Sequence, residues 1–256
     1  MKRIIFGLSL AIGAVAPAMA QFVNGGFETG DTTGWTTGTG NRIAEGNDAL
    51  DAADFLPGGA LYDPSLAHSA VVTAGTMAHT DGKLNQVYSG AYSFRAEDLT
   101  AGGYASAITQ TVANYQDDNI FFAWAATLEG AHGADDAATF KIVLSDDTTG
   151  ATLVTRQYNA ADTGAGVDSR FAQSSDFFYY TTSWQIENLD VSAFKGDTFT
   201  LTLLAADCEP SAHEGTVYLD GFGAVTPPTV VPEPAGFGML LAGLGLMGVA
   251  ARRRKG

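Results

Sequence analysis

A single cysteine, Cys208, stands in 256 residues. No disulfide can therefore close within the chain, and no Cys/His pair has zinc-finger spacing. Basic residues are scarce too, 13 against 28 acidic ones. Between Gln21 and Val230 only Arg42, Lys83, Arg95, Lys141, Arg156, Arg170 and Lys195 remain, against every acidic residue except Glu233. A surface of that sign repels a phosphate backbone, which argues against nucleic acid as a partner. Two further features are missing: a convincing amphipathic helical stretch, and a repeat of 20–50 residues. What remains between the ends is enough for one substantial core, and its many aromatic and β-branched residues argue against disorder.

The long apolar runs lie at the ends. Met1-Lys2-Arg3 precedes an apolar run from Ile4 to Val15, and Ala18-Met19-Ala20 puts small residues at −3 and −1 before Gln21. Charge, apolar stretch and small-residue site in that order predict a signal peptide over 1–20, cut by signal peptidase after Ala20. At the other end Val231-Pro232-Glu233-Pro234 precedes Ala235–Ala251, 17 residues without a charge, and then Arg252-Arg253-Arg254-Lys255. As a helix those residues would extend about 25 Å, near the short limit for a bilayer span. The basic tail 252–255 would hold that end in the cytoplasm and leave the acidic body outside.

This order of motif, Gly/Leu-rich span and arginine cluster resembles the PEP-CTERM sorting signal, assigned here to residues 231–256 with the transmembrane part at 235–251. The resemblance implies recognition by an exosortase, a membrane enzyme thought to cleave at or near the motif. Pro232, Glu233 and Pro234 are then features read by another enzyme. Two prolines suit that role because they block helix continuation and bias the preceding residues towards extended backbone.

The body, residues 21–225, reads as short strands between Gly/Asp/Thr/Asn clusters. Strands are expected at Phe22–Phe27, Ala91–Ala96, Tyr104–Val112, Asn119–Leu128, Thr139–Ser145, Thr152–Tyr158, Thr182–Leu189, Thr198–Ala205 and Thr216–Val225. Period-two patterning sets Phe140, Ile142 and Leu144 on one face, and likewise Phe199, Leu201 and Leu203. Ile120–Leu128 is apolar on both faces, as in a strand covered on each side. Asp146-Asp147-Thr148-Thr149-Gly150 reads as a hairpin loop. Residues 46–79 and 159–175 read as long loops, and 226–230 as an extended linker. Many short strands at near-regular spacing predict an all-β fold, an antiparallel β-sandwich or barrel.

Asn24-Gly25-Gly26-Phe27-Glu28 with Gly34-Trp35 opens the body, and Tyr218-Leu219-Asp220 lies in its last strand. The pair resembles jelly-roll modules of the galactose-binding-like superfamily, which includes many carbohydrate-binding modules; Trp184, Leu189, Val191 and Gly196 resemble its penultimate segment. Membership implies a two-sheet antiparallel jelly roll with first and last strands adjacent. It also implies a structural Ca²⁺ held by Glu28 and Asp220, a donor chemistry that suits this cation. Ordinary surface carboxylates are the alternative.

Other groups were weighed for chemistry. Cys208 and His213 could suggest a nucleophile and base, but no oxyanion motif accompanies them, and a turn with a semi-buried cysteine is the better reading. His68, His79 and His132 read as solvated loop residues. The Asp pairs 117-118, 135-136 and 146-147 read as solvated turns, since sequence cannot set the carboxylate separation a glycosidase needs. Trp35, Trp124 and Trp184 read as core. Within Phe177-Phe178-Tyr179-Tyr180, Tyr179 and Tyr180 are candidate sugar platforms, with an edge strand over the core as the alternative. The expected function is non-enzymatic: an exported, exosortase-processed surface or extracellular matrix protein that binds exopolysaccharide weakly and passes transiently through the inner membrane. The alternative is a secreted glycoside hydrolase or polysaccharide lyase on the same fold.

Overall fold

The structure, a computed structural model, describes residues 21–42, 45–161, 166–209 and 213–223. The expected leader 1–20, linker 226–230, Pro232-Glu233-Pro234 and span 235–251 lie outside these residues. Among the described residues no helix is long and apolar enough to cross a membrane.

Twelve strands form two antiparallel sheets. They are β1 (Thr36–Asn41), β2 (Ala70–Thr73), β3 (Tyr92–Ala96), β4 (Tyr104–Val112), β5 (Asn119–Glu129), β6 (Thr139–Asp146), β7 (Ala151–Asn159), β8 (Phe171–Gln173), β9 (Phe178–Thr181), β10 (Gln185–Asp190), β11 (Phe199–Ala206) and β12 (Gly215–Asp220). One sheet runs β1-β4-β11-β6-β7 and the other β2-β3-β12-β5-β9-β8, with β10 also paired to β5. The alternating faces behave as expected: Phe140, Ile142, Leu144, Phe199, Leu201 and Leu203 are buried between the sheets against Phe94, Phe122, Trp124 and Leu219. Asp146 builds the β6–β7 turn by accepting the Thr148 and Thr149 N–H groups, with Gly150 at φ 74°.

β5 is apolar on both faces for a specific reason. Its inner face carries Ile120, Phe122, Trp124, Ala126 and Leu128. Phe121, Ala123 and Ala125 on its outer face lie under Met77, Leu84, Tyr88 and Trp184. The other sheet is also partly roofed: a four-residue helix α1 (Ala52–Phe55), capped by Asp51, buries Phe55 and Leu50 on Ala105, Ala107 and Leu204.

Three expectations need correction. Phe22–Phe27 is irregular rather than a strand, with Asn24 and Phe27 at φ 53° and 57°, and its two phenylalanines plug the core. The first strand is instead β1, Thr-Gly-Thr-Gly-Asn in character, where a Cβ on Gly38 or Gly40 would lie 2.0 Å or 1.9 Å from the carbonyl oxygens of Phe55 and Leu61. Glycine is required there because the roof segment rests directly on the strand. Third, the stretches read as loops at 46–79 and 159–175 contain the short strands β2 and β8. The chain ends of the body do meet as expected, since Phe222 N–H donates to the Gly25 carbonyl at 3.0 Å.

β9 and β10 lie along the same side of β5. Thr127 faces Tyr180 and Trp124 faces Gln185, so the register slips by two residues between the segments. The Thr181 hydroxyl accepts the Ala126 N–H at that break, standing in for a backbone acceptor. Farther along β10, Glu187 takes two 2.6 Å bonds from Arg156 of β7 and one from Trp124 Nε1, tying the two sheets together.

Candidate functional site

Because successive strands are antiparallel, their connections alternate between two rims. At the first rim the end of β12 meets the opening turn. Asp220 is buried and its Oδ2 accepts the Tyr88 and Ser89 N–H groups at 2.9 Å, whereas its buried Oδ1 has no hydrogen-bond partner. Exposed Glu28 accepts the Ala91 N–H on both oxygens, at 3.0 and 3.1 Å. Gly26 sits between the two: a Cβ there would be 3.6 Å from Asp220 Oδ1 and 3.7 Å from Glu28 Cγ. Burial pushes the Asp220 carboxyl up to about 7, and the charge of Glu28 adds to that rise. The structure thus brings Glu28 and Asp220 together. Each carboxylate oxygen carries two lone pairs, so the amide bonds leave capacity for a cation. Two carboxylates, one with an unpartnered buried oxygen, are a donor chemistry that fits Ca²⁺.

The opposite rim gathers most of the other unusual titratable groups. All four histidines lie there, which corrects the expectation that His68, His79 and His132 stand alone in solvent. His68 is buried, stacks on Tyr104, and places Nδ1 3.2 Å from Asp98 and 3.7 Å from Glu97. Glu97 is fully buried, takes the Ser106 hydroxyl at 2.7 Å, and is held at φ 62°. Its carboxyl is pushed up to about 7 by burial, with the Ser106 bond and His68 pulling the other way. Asp207 is pushed further, to about 9, first by burial and then by Glu97. His79 stacks on Phe178, contacts Asp176 at 2.7 Å and reaches Glu214 at 3.8 Å. His132, from the β5–β6 connection, meets Cys208 and His213 of the β11–β12 connection. Arg42 runs buried beneath, donating to the carbonyls of Asp207 and Glu45 and to Asn47 Oδ1.

The tryptophans occupy packing positions. Trp124 is buried among Phe140 and Tyr158, Trp35 stacks on Phe27, and half-buried Trp184 donates to the Asn85 carbonyl. Of the two expected sugar platforms, Tyr180 is corrected: it is 1% exposed under Met77 and Leu84, with its hydroxyl 2.7 Å from Lys83 Nζ. Its ring face is used up by packing. Tyr179 is half-buried against the inter-sheet core. The aromatic that sequence reasoning passed over is Phe177, 70% exposed at φ 71° in the turn before β9. A separate hollow of about 200 Å³ on the outer face of the five-stranded sheet is lined by Asp51, Ala52, Lys141, Val143, Thr202 and Leu204.

Residues 230–255 match the PEP-CTERM protein-sorting motif. No curated protein matches the chain. Among solved structures the body is similar to TmCBM61 in complex with beta-1,4-galactotriose, at 14% identity and TM-score 0.41, covering 79% of this chain and 96% of that one. It is also similar to CBM28, a non-crystalline cellulose specific carbohydrate-binding module, at 15% identity and TM-score 0.38, covering 80% and 94%. A third similar structure is CBM27-1 of Caldicellulosiruptor saccharolyticus in complex with mannohexaose, at 11% identity and TM-score 0.36, covering 77% and 93%. By its strand pairing the body is an all-β antiparallel sandwich. Behind it the chain carries a PEP-CTERM sorting motif, a signal that implies export.

Proposed function

We propose that this is a non-enzymatic exported protein, trimmed by an exosortase at or near Pro232-Glu233-Pro234 and displayed at the cell surface or in the extracellular matrix, where it binds exopolysaccharide weakly. The observation that carries this reading is the sorting motif at 230–255. The strongly acidic body suits a hydrated matrix and would remain soluble there. The raised carboxyls Glu97 and Asp207 are fully buried in the packed rim, where they serve structure rather than face a substrate. The glycan contact is assigned to the turn around Phe177, with Tyr179 beside it, because an exposed ring face packs on the apolar face of a sugar. Asp176 and Ser175 of the same turn, with Asp81 of the β2–β3 connection bonded to Ser175, supply hydrogen-bonding groups beside it.

One exposed aromatic contributes about 1 kcal/mol, so affinity for a polysaccharide should be weak and sensitive to a single ring. A glycan array probed with the full-length protein should return a reproducible ligand, and Phe177→Ala should weaken binding roughly fivefold, with Tyr179→Ala next in effect. Binding that neither substitution changes would remove the assigned contact. Progressive release of reducing or unsaturated ends from that ligand would overturn the non-enzymatic reading in favour of a hydrolase or lyase.

The same reading gives the first rim a structural Ca²⁺, held by Glu28 and Asp220 and fastening the opening turn to the last strand. The cation would neutralise a carboxyl that burial and its neighbour otherwise push towards the protonated form. At free Ca²⁺ a hundredfold above Kd, binding adds about 2.7 kcal/mol to stability. For a domain of this size that is roughly 5–10 °C in Tm. A chelator should lower Tm by that amount in the wild type and leave Asp220→Asn unchanged; equal melting with and without chelator rules the ion out.

A further inference from the structure

Three side chains far apart in sequence converge at the second rim with the chemistry of a metal centre. Each of His132, Cys208 and His213 offers one ligand atom, and these atoms all lie within 4.8 Å of one another. Cys208 Sγ is 3.1 Å from His213 Nδ1, and the two imidazoles approach edge to face with centroids 4.8 Å apart. A tetrahedral zinc centre has Zn–S near 2.3 Å and Zn–N near 2.05 Å, which puts its sulfur and nitrogen ligands about 3.5 Å from each other. To meet that figure the Cys208–His213 pair at 3.1 Å has to open slightly and any wider pair of ligand atoms, none beyond 4.8 Å, has to close.

We propose that His132, Cys208 and His213 bind a zinc-class divalent cation, with water as the fourth ligand. One thiolate and two imidazoles form the soft, mixed donor set that late first-row ions prefer over Ca²⁺ or Mg²⁺. The surroundings prepare the sulfur donor. The His213 backbone N–H donates to Cys208 Sγ at 2.8 Å, an interaction that stabilises a thiolate. The buried Arg42 guanidinium, whose environment includes the charge of Cys208, acts in the same direction. The scaffold is held from both sides. Cys208 N–H donates to the His213 carbonyl at 2.8 Å, closing one connection on itself. Glu209 N–H donates to the Asp136 carbonyl at 2.9 Å, fixing that connection to the one that carries His132. His132 itself sits at φ 61°, an uncommon conformation for a non-glycine residue and one that clusters at functional positions. Sulfur lies buried while both imidazoles are half-buried.

Co²⁺ reports this donor set directly, because a cobalt–thiolate bond gives charge-transfer absorption that oxygen ligands do not. Titrating Co²⁺ into the full-length, tag-free protein in detergent should produce that absorption with an end point at one equivalent. Zn²⁺ should abolish it by displacement. Cys208→Ser should eliminate the band, and His132→Ala should weaken binding by roughly a hundredfold or more, beyond what loss of a supporting hydrogen bond costs. Where Cys208→Ser does not fold, His132→Ala carries the comparison, because His132 lies in a connection outside the apolar core. No thiolate band in the folded wild type, or Co²⁺ bound only with the spectrum of oxygen ligands, would overturn the assignment.

Discussion

Deleting Pro232-Glu233-Pro234 is expected to leave the protein untrimmed at its C-terminus and retained in the inner membrane. The span Ala235–Ala251 is apolar enough to stay in the bilayer, and Arg252–Lys255 opposes its passage to the far side. On the proposed reading, release of the body depends on cleavage. Two prolines separated by one residue remove two backbone donors and fix two φ angles, which on the proposed reading would favour an extended segment for the sorting enzyme to read. Replacing all three residues with alanine, a strong helix former, should let the apolar helix continue through the motif and hide it. An epitope tag in the body and a second at the C-terminus read the result together. Wild-type protein should lose the C-terminal tag and appear at the surface or in the medium. The deletion and the alanine variant should both keep it in the membrane fraction, with processing reduced at least tenfold. Unchanged trimming and destination in the deletion variant would show that the tripeptide is not what the sorting enzyme reads.

How much of this molecule is legible in its sequence depends on whether the signal is local. β4, β6 and β11 announce themselves through side-chain alternation or uninterrupted β-forming composition, and each lies within a residue of its expected bounds. The double-sided apolarity of β5 correctly implied cover on both faces, although the identity of that cover, residues 77–88, carried no signal of its own. β1 was missed because its glycines look like turn residues. Their real reason is non-local, namely the carbonyls of Phe55 and Leu61 lying on the strand. Phe22 and Phe27 looked like strand residues because they are apolar, yet they reach the core from a turn with positive φ. Glu28 and Asp220 were singled out through the terminal motifs, and in the structure both lie beside Gly26. The second rim was not found. His68, His79, His132 and His213 fall in separate connections, and each is unremarkable by itself. Antiparallel pairing puts every other connection at the same end, so following the direction of successive strands would have brought the connections after β3, β5 and β11 together.

Raising the pH from about 5 to 8 should destabilise the protein, and Glu97→Gln should remove part of that loss. Glu97 is fully buried between the Ser106 hydroxyl, His68 and Asp98, with Asp207 close enough to feel its charge. Burial raises its carboxyl from an ordinary 4.5 to about 7 in the folded protein. The native state therefore holds this proton more tightly than the unfolded chain does. The stability gained is present in full below the unfolded value of 4.5, shrinks as pH rises towards the folded value near 7, and is gone above it. Each pK unit corresponds to 1.36 kcal/mol, so the swing from this residue is about 3 kcal/mol, on the order of 10 °C in Tm for a domain of this size. Self-repulsion of the acidic surface acts in the same direction, so the wild-type trend alone does not isolate Glu97. The variant does. Glutamine keeps the length and an acceptor for Ser106 but has no charge to bury, so the gap between thermal melts at pH 5 and pH 8 should narrow by the share of Glu97, while the buried carboxyls of Asp207 and Asp220 keep part of the slope in both proteins. At pH 8 the variant should melt above the wild type. If the two proteins show parallel Tm–pH curves across this range, Glu97 is ionised in both folded and unfolded states and the buried-proton account fails.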